Sequence, residues 1–198
     1  MGKIKLPYKL ILASTSPRRQ QLMTEAGYTF EIMPSHIPED IDPKWAIEDI
    51  PVKLAYQKAN DVRSKINNDD TLIIGADTIV VHQGEQLGKP FSRSEAVSML
   101  KRLSNDEHTV ITGVCFAGVH NLTFSDTSVV KMDKLTDKEI EFYIQHFNPM
   151  DKAGAYGIQE WIGHNKILSF KGSYTNVMGL PMQRIYAALC LFEGSIIQ

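Results

Sequence analysis

Cysteine is nearly absent from this 198-residue chain: Cys115 and Cys190 are the only two, far apart and each in an apolar setting. That excludes a disulfide framework; buried free thiols in a reducing compartment are the reading, and a single bridge has no support. The six histidines show no metal-ligand spacing and no cysteine cluster joins them, so zinc is not expected. An excess of one charge is also missing. Lys and Arg number 21 against 23 Asp and Glu, for a formal charge of −2, and aromatic and basic residues do not interleave. Nucleic acid is therefore not the expected partner. No apolar run could span a bilayer, and the one after the basic segment Met1–Lys9 is too short for a signal peptide. A cytoplasmic protein without a membrane partner is expected. No repeat, low-complexity tract or Pro/Gly/Ser linker interrupts the sequence, so residues 1–198 read as one domain, long enough for two lobes.

What is present alternates between strand and helix patterns. Tyr8 to Ser14 reads as a strand, followed by a helix over Pro17 to Ala26 and a strand near Thr29 to Met33. Leu54, Ala55, Lys58, Ala59 and Val62 lie at helical spacing within a helix from about Pro51 to Ile66. Thr71 to Val81 is nearly all apolar and reads as a strand buried on both faces. A helix near Ser94 to Leu103 follows, then strands over Thr109 to Val119 and Leu122 to Met132, read as a hairpin turning at His120-Asn121. Thr136-x-x-Glu139 is a capping box opening a helix to about Phe147. A glycine-rich segment, a short strand at Lys166 to Phe170 and a helix from Pro181 to Phe192 complete the chain. The class is α/β, a mixed twisted sheet flanked by helices.

Few residues carry a chemical signal. In Leu10-Ile-Leu-Ala-Ser-Thr-Ser-Pro-Arg-Arg19, Ser16 reads as an N-cap and Pro17 as the first helical residue. Arg18 and Arg19 then oppose the helix dipole, at about 0.3–1 kcal/mol each, unless an anion sits there. Two surface arginines paired with local carboxylates are the alternative. Asp77, alone in an apolar strand, must meet a cationic partner, a metal or a cleft; local N–H groups could also satisfy it. Gly75 and Ala76 before it leave room for a close neighbour.

Leu87-Gly-Lys-Pro90 resembles the end of a P-loop, but Pro90 stands where a magnesium-holding hydroxyl belongs. Lys89 there reads either as a phosphate contact or as a solvated turn residue. Lys58, on the apolar side of its helix, reads as a lysine reaching for a rim. Glu39, in a loop after a strand, is a loop carboxylate or a partner of Asp77 on one divalent cation. Gln159 ends the Gly/Ala-rich run Asp151-Lys-Ala-Gly-Ala-Tyr-Gly-Ile-Gln159. Its amide matches a uracil or thymine edge, and rotated it matches cytosine.

Taken together and in order, these segments resemble the Maf family of nucleoside triphosphate pyrophosphatases. The matching pieces are Leu12-Ala-Ser-Thr-Ser-Pro-Arg-Arg19, Gly75-Ala-Asp-Thr78, Gly88-Lys-Pro90, His108-Thr-Val-Ile-Thr-Gly-Val114, Lys152-Ala-Gly-Ala-Tyr-Gly-Ile-Gln159 and Gly172-Ser-Tyr-Thr-Asn-Val-Met-Gly-Leu-Pro181. The resemblance implies two lobes around a deep cleft, similar to inosine-triphosphate pyrophosphatases. It implies cleavage of a nucleoside triphosphate to the monophosphate and pyrophosphate, with a divalent cation, Mg or Mn. By it Asp77 is the proton acceptor, Ser14, Arg19, Lys58 and Lys89 handle phosphate, and Glu39 is the acidic cleft residue; the metal is expected on Glu39 or Asp77. Arg18, Thr78 and Gln159 fall on the family's specificity positions and match its dTTP/UTP branch. Pro38 stands where the family commonly has Asp, which leaves one carboxylate fewer. A homodimer is a further implication of the likeness. Two alternatives are a purine (ITP/XTP) pyrophosphatase and a nucleotide-sensing, division-associated binding protein with little turnover.

Overall fold

The structure is a computed structural model that describes residues 4, 6–118 and 121–193. Three parallel strands set its framework. β1 (Lys9–Leu12) pairs with β2 (Glu31–Ile32) on one side and β3 (Thr71–His82) on the other. The register aligns Lys9 with Thr71 and Leu12 with Ile74. β3 is buried along almost its whole length, as its apolar run requires. It turns back through Gln83 and Gly84, both at positive φ, into the short antiparallel β4 (Glu85–Leu87).

Further along the chain come β5 (Glu107–Ala117), β6 (Leu122–Met132) and β7 (Ile167–Lys171). Among the described residues these strands form one seven-stranded sheet in the order β2-β1-β3-β5-β6-β7, with β4 attached to β3. β7 is antiparallel to β6, so the sheet is mixed as the pattern implies. The turn read at His120-Asn121 involves His120, which lies outside the described residues.

Seven helices are described: α1 (Pro17–Glu25), α2 (Ile50–Arg63), α3 (Arg93–Leu103), α4 (Asp137–Phe147), α5 (Trp161–Lys166), α6 (Tyr174–Val177) and α7 (Met182–Glu193). Single 3-10 turns cover Pro149–Asp151 and Ala153–Ala155. The capping box forms as expected, with Thr136 and Glu139 exchanging bonds. β4, α5 and α6 were not expected from the pattern. None of the described helices is long and apolar enough to cross a membrane.

The chain packs as two compact units. One takes the described residues up to Asp77, Thr112–Asp126 and those from Gly179 onward; the other takes Thr78–Ile111 and Thr127–Met178. In the first, Ile11, Ile73, Cys115 and Ala117 from the strands, with Ala13 just after β1, pack with Ala55, Ala59 and Val62 of α2. In the second, α3 packs against α4 and against both 3-10 turns, burying Ala96, Leu100, Leu103, Ile140 and Tyr143.

Candidate active site

Small residues determine where the charges meet. A Cβ added at Gly75 would lie 2.3 Å from the Ala55 carbonyl oxygen and 2.8 Å from Ala59. One added at Gly113 would meet the backbone of Pro51 and Val52 at 2.2–2.3 Å. α2 therefore rests directly on the backbone of β3 and β5, closer than any side chain at those two positions would permit. Asp77 lies two residues beyond Gly75, on the same strand face. Lys58 lies three beyond Ala55, on the same helix face. The close approach lets Lys58 Nζ reach Asp77 Oδ1 at 2.6 Å, with both side chains nearly buried.

Lys58 also meets Glu39 Oε1 at 2.7 Å. It is not the rim-seeking lysine that the helix pattern implied, nor is Glu39 only a solvated loop carboxylate, although half of its side chain is exposed. The ammonium joins a buried and a half-exposed carboxylate, which satisfies the requirement that Asp77 find a cation.

Arg19 sits in the first turn of α1, but most of its guanidinium is occupied by the protein itself. Nε donates to the Gly179 carbonyl at 2.8 Å, and Nη1 donates to the Ala76 carbonyl at 2.9 Å and to Ser14 Oγ at 3.3 Å. Ser14, itself buried, also accepts from the Ser16 N–H at 3.2 Å. Burial lowers the Arg19 pKa from its ordinary value; Asp77 and Glu39 oppose that shift, and Arg18 adds to it. Asp77, Glu39 and Arg18 thus all act on the Arg19 charge. Ser16 holds the N-cap position of α1 with Pro17 behind it, but its side chain makes no capping bond. That corrects the capping role read from the sequence.

Apart from Lys58, which α2 supplies, these groups follow the carboxyl ends of three parallel strands: Ser14 to Arg19 after β1, Glu39 after β2, and Asp77 beyond the point where β3 pairs with β1. In open α/β sheets that end is where ligands bind. An ammonium and a guanidinium beside two carboxylates can hold an anion while a carboxylate oxygen takes a proton. Glu39 and Asp77 already converge on one cationic atom, so their oxygens suit a hard divalent ion, which takes one or two carboxylates together with substrate phosphates. No three His, Cys, Asp or Glu side chains among the described residues are grouped to hold a metal by themselves.

The remaining sequence candidates belong to the other unit. Thr78 follows Asp77 directly and is half-buried; Lys89 is exposed on the turn after β4; Gln159 is half-buried just before α5. Sequence reasoning passed over several polar residues around Gln159. Lys152, a buried lysine, contacts Asp151 at 2.8 Å and Glu160 at 3.0 Å. Tyr143 OH donates to Glu160 Oε2 and accepts from the Gly157 N–H at 2.9 Å. His108 Nε2 pairs with Tyr156 OH at 2.7 Å, both residues being buried. The available signal was Lys152 itself, a lysine inside a run of glycine and alanine.

Comparison with known proteins matches residues 9–192 to a family model described as Maf-like protein. A dTTP/UTP pyrophosphatase of Bacteroides fragilis is 45% identical over 185 residues, spanning 92% of this chain and 95% of that protein. One of Phocaeicola vulgatus is 46% identical over the same shares of both chains. One of Porphyromonas gingivalis is 45% identical over 192 residues, 95% of this chain and 96% of that protein. Among solved structures, the Staphylococcus aureus Ham1 protein aligns with a TM-score of 0.41 at 15% identity, over 63% of this chain and 71% of that one.

Proposed function

This chain belongs to the Maf family, and from that premise we propose that it is a nucleoside triphosphate pyrophosphatase cleaving dTTP and UTP to the monophosphate and pyrophosphate. The observation that carries the chemistry is the junction of Lys58 with Asp77 and Glu39 at 2.6 and 2.7 Å, beside the anchored Arg19. The choice of substrate is supported by relatives named dTTP/UTP pyrophosphatase that align along almost the whole chain.

In this reading a water molecule attacks the α-phosphorus and gives its proton to Asp77. Lys58 occupies Oδ1, so Oδ2 is the oxygen assigned to receive it. A bond forms between water oxygen and the α-phosphorus; the bond to the bridging oxygen breaks, and pyrophosphate departs. Arg19 is a rigid donor, since three acceptors fix its Nε and Nη1, and rigid donors need no reorganisation as charge develops. Ser14 holds Arg19 from below and takes its place in the phosphate-handling set through that contact. Arg18 and Lys89 add positive charge for the triphosphate, while Thr78 and Gln159 serve the base. Glu39 or Asp77 would hold Mg²⁺ or Mn²⁺, which when bound would offset negative charge on the triphosphate. The reading places the enzyme in the cytoplasm, where its substrates are, and keeps the homodimer of the family likeness.

The test is Asp77→Asn. Pyrophosphate release from dTTP falls by at least about a hundredfold, the usual scale of a lost general base, while the variant still folds and binds nucleotide, with a lowered thermal transition because Lys58 loses a buried charged partner. Unchanged turnover would remove Asp77 from the reaction. A binding protein with little turnover would show nucleotide binding and no pyrophosphate in either form.

A further inference from the structure

The segment from Lys152 to Glu160 is irregular in backbone, yet it is tied at nearly every turn to its own unit. Gly154 and Ala155 both take positive φ, 69° and 59°. For Ala155 that is an unfavoured backbone, which persists only where the surroundings impose it. The Gly154 N–H donates to the Gly88 carbonyl at 3.1 Å, so the segment is bonded to the residue preceding Lys89. Tyr156 is pinned through its hydroxyl to His108.

The last anchor is the most specific. Glu160 stands at the N-cap of α5 with extended backbone, but its carboxylate makes no capping bond. It turns back instead to Lys152 Nζ and Tyr143 OH. Tyr143 is fully buried and stacked on Phe147, and its oxygen is oriented by the Gly157 N–H. Gly157 has no room for a side chain while Glu160 lies there: an added Cβ would fall 2.8 Å from Glu160 Cδ.

Desolvating a lysine and a glutamate is a poor way to stabilise a fold, since apolar residues of similar volume serve as well or better. What such a network supplies is a fixed geometry. Gln159 sits between buried Ile158 and the anchored Glu160. Its amide can match a uracil or thymine edge only while the residue stays at one place, since a shifted backbone carries donor and acceptor away from that edge. We infer that Lys152, Glu160 and Tyr143 are positioning residues for base selectivity, holding the Gln159 backbone so that the amide is delivered to one place against the base edge. The inference rests on the proposed role of Gln159 as a reader of the base.

The experiment compares kcat and KM for UTP and CTP in the wild type, Tyr143→Phe, Glu160→Gln and Gln159→Ala. Tyr143→Phe keeps the buried ring and removes only the hydroxyl, so it serves if Glu160→Gln fails to fold. Both network variants should lower the UTP-over-CTP preference by about tenfold, the scale of one charge-assisted hydrogen bond, through KM for UTP rather than through kcat. A merely structural role would lower kcat or folded yield for both nucleotides alike and leave the ratio unchanged, which would overturn the inference. If Gln159→Ala loses the preference while both network variants keep it, the base-reading role stands and the positioning role falls. If Gln159→Ala also keeps it, both fall.

Discussion

Asp77 and Lys58 are each little exposed, at 11% and 13% of the side chain, and 2.6 Å apart. At that burial neither charge is tolerable without the other. His108 solves a similar problem differently, by staying neutral. Burial, aided by His82 and opposed by Asp106, pushes its pKa down to about 4. In the unfolded chain the imidazole protonates near its ordinary value of about 6.5. Between these values the unfolded state binds the extra proton, so the contribution is complete above pH 6.5 and is lost as pH falls through 4. The full loss amounts to about 3 kcal/mol. Denaturant midpoints measured from pH 7 to pH 4 should therefore fall more steeply in the wild type than in His108→Asn; parallel profiles would show that His108 stays accessible to protons in the fold. Of these residues Asp77 was the most legible in advance, because a lone carboxylate in an apolar strand announces a need. The pairings of Lys58 with Asp77 and Glu39, and of Glu160 with Tyr143, were not, since those partners are separated in sequence and brought together by packing. Arg19 was legible as a charge at a helix start, but not as a group held by the Gly179 and Ala76 carbonyls.

The elements were legible wherever periodicity or capping was strong. β3, α2, α3, β6 and the capping box of α4 fall within a few residues of their expected positions. The misses have physical causes. The β3–β4 turn puts Gln83 at a positive φ of 51°, where asparagine or aspartate would have signalled a hairpin. α5 contains Gly163, which reads as a breaker; it is there because a Cβ would collide with the Ile158 carbonyl oxygen at 1.8 Å. Gly75 makes the corresponding contact for the active site. Gly75→Ala would drive a methyl into the Ala55 carbonyl oxygen, and overpacking of this kind costs about 1–3 kcal/mol. For a chain of this size the melting temperature should drop by about 2–4 °C per kcal/mol. Turnover should fall with it, because α2 carries Lys58. Gly88→Ala, with nothing within 4 Å of the new methyl, is the thermal control. Equal melting temperatures for the two variants would refute the close helix–strand contact.

Across the whole molecule, charge is nearly balanced while the carboxyl ends of the parallel strands gather Arg19, Lys58, Glu39 and Asp77. Such local concentration in a neutral protein is the mark of a site for a small anion rather than for a polyanion. The account stands on one reaction, attack of water at the α-phosphorus of a pyrimidine nucleoside triphosphate. Its most direct test is hydrolysis of dTTP by the purified enzyme with Mg²⁺ in water enriched in heavy oxygen, the products being weighed by mass spectrometry. The account predicts dTMP carrying the label and unlabelled pyrophosphate. Label in pyrophosphate, or products of dTDP and orthophosphate, would contradict it.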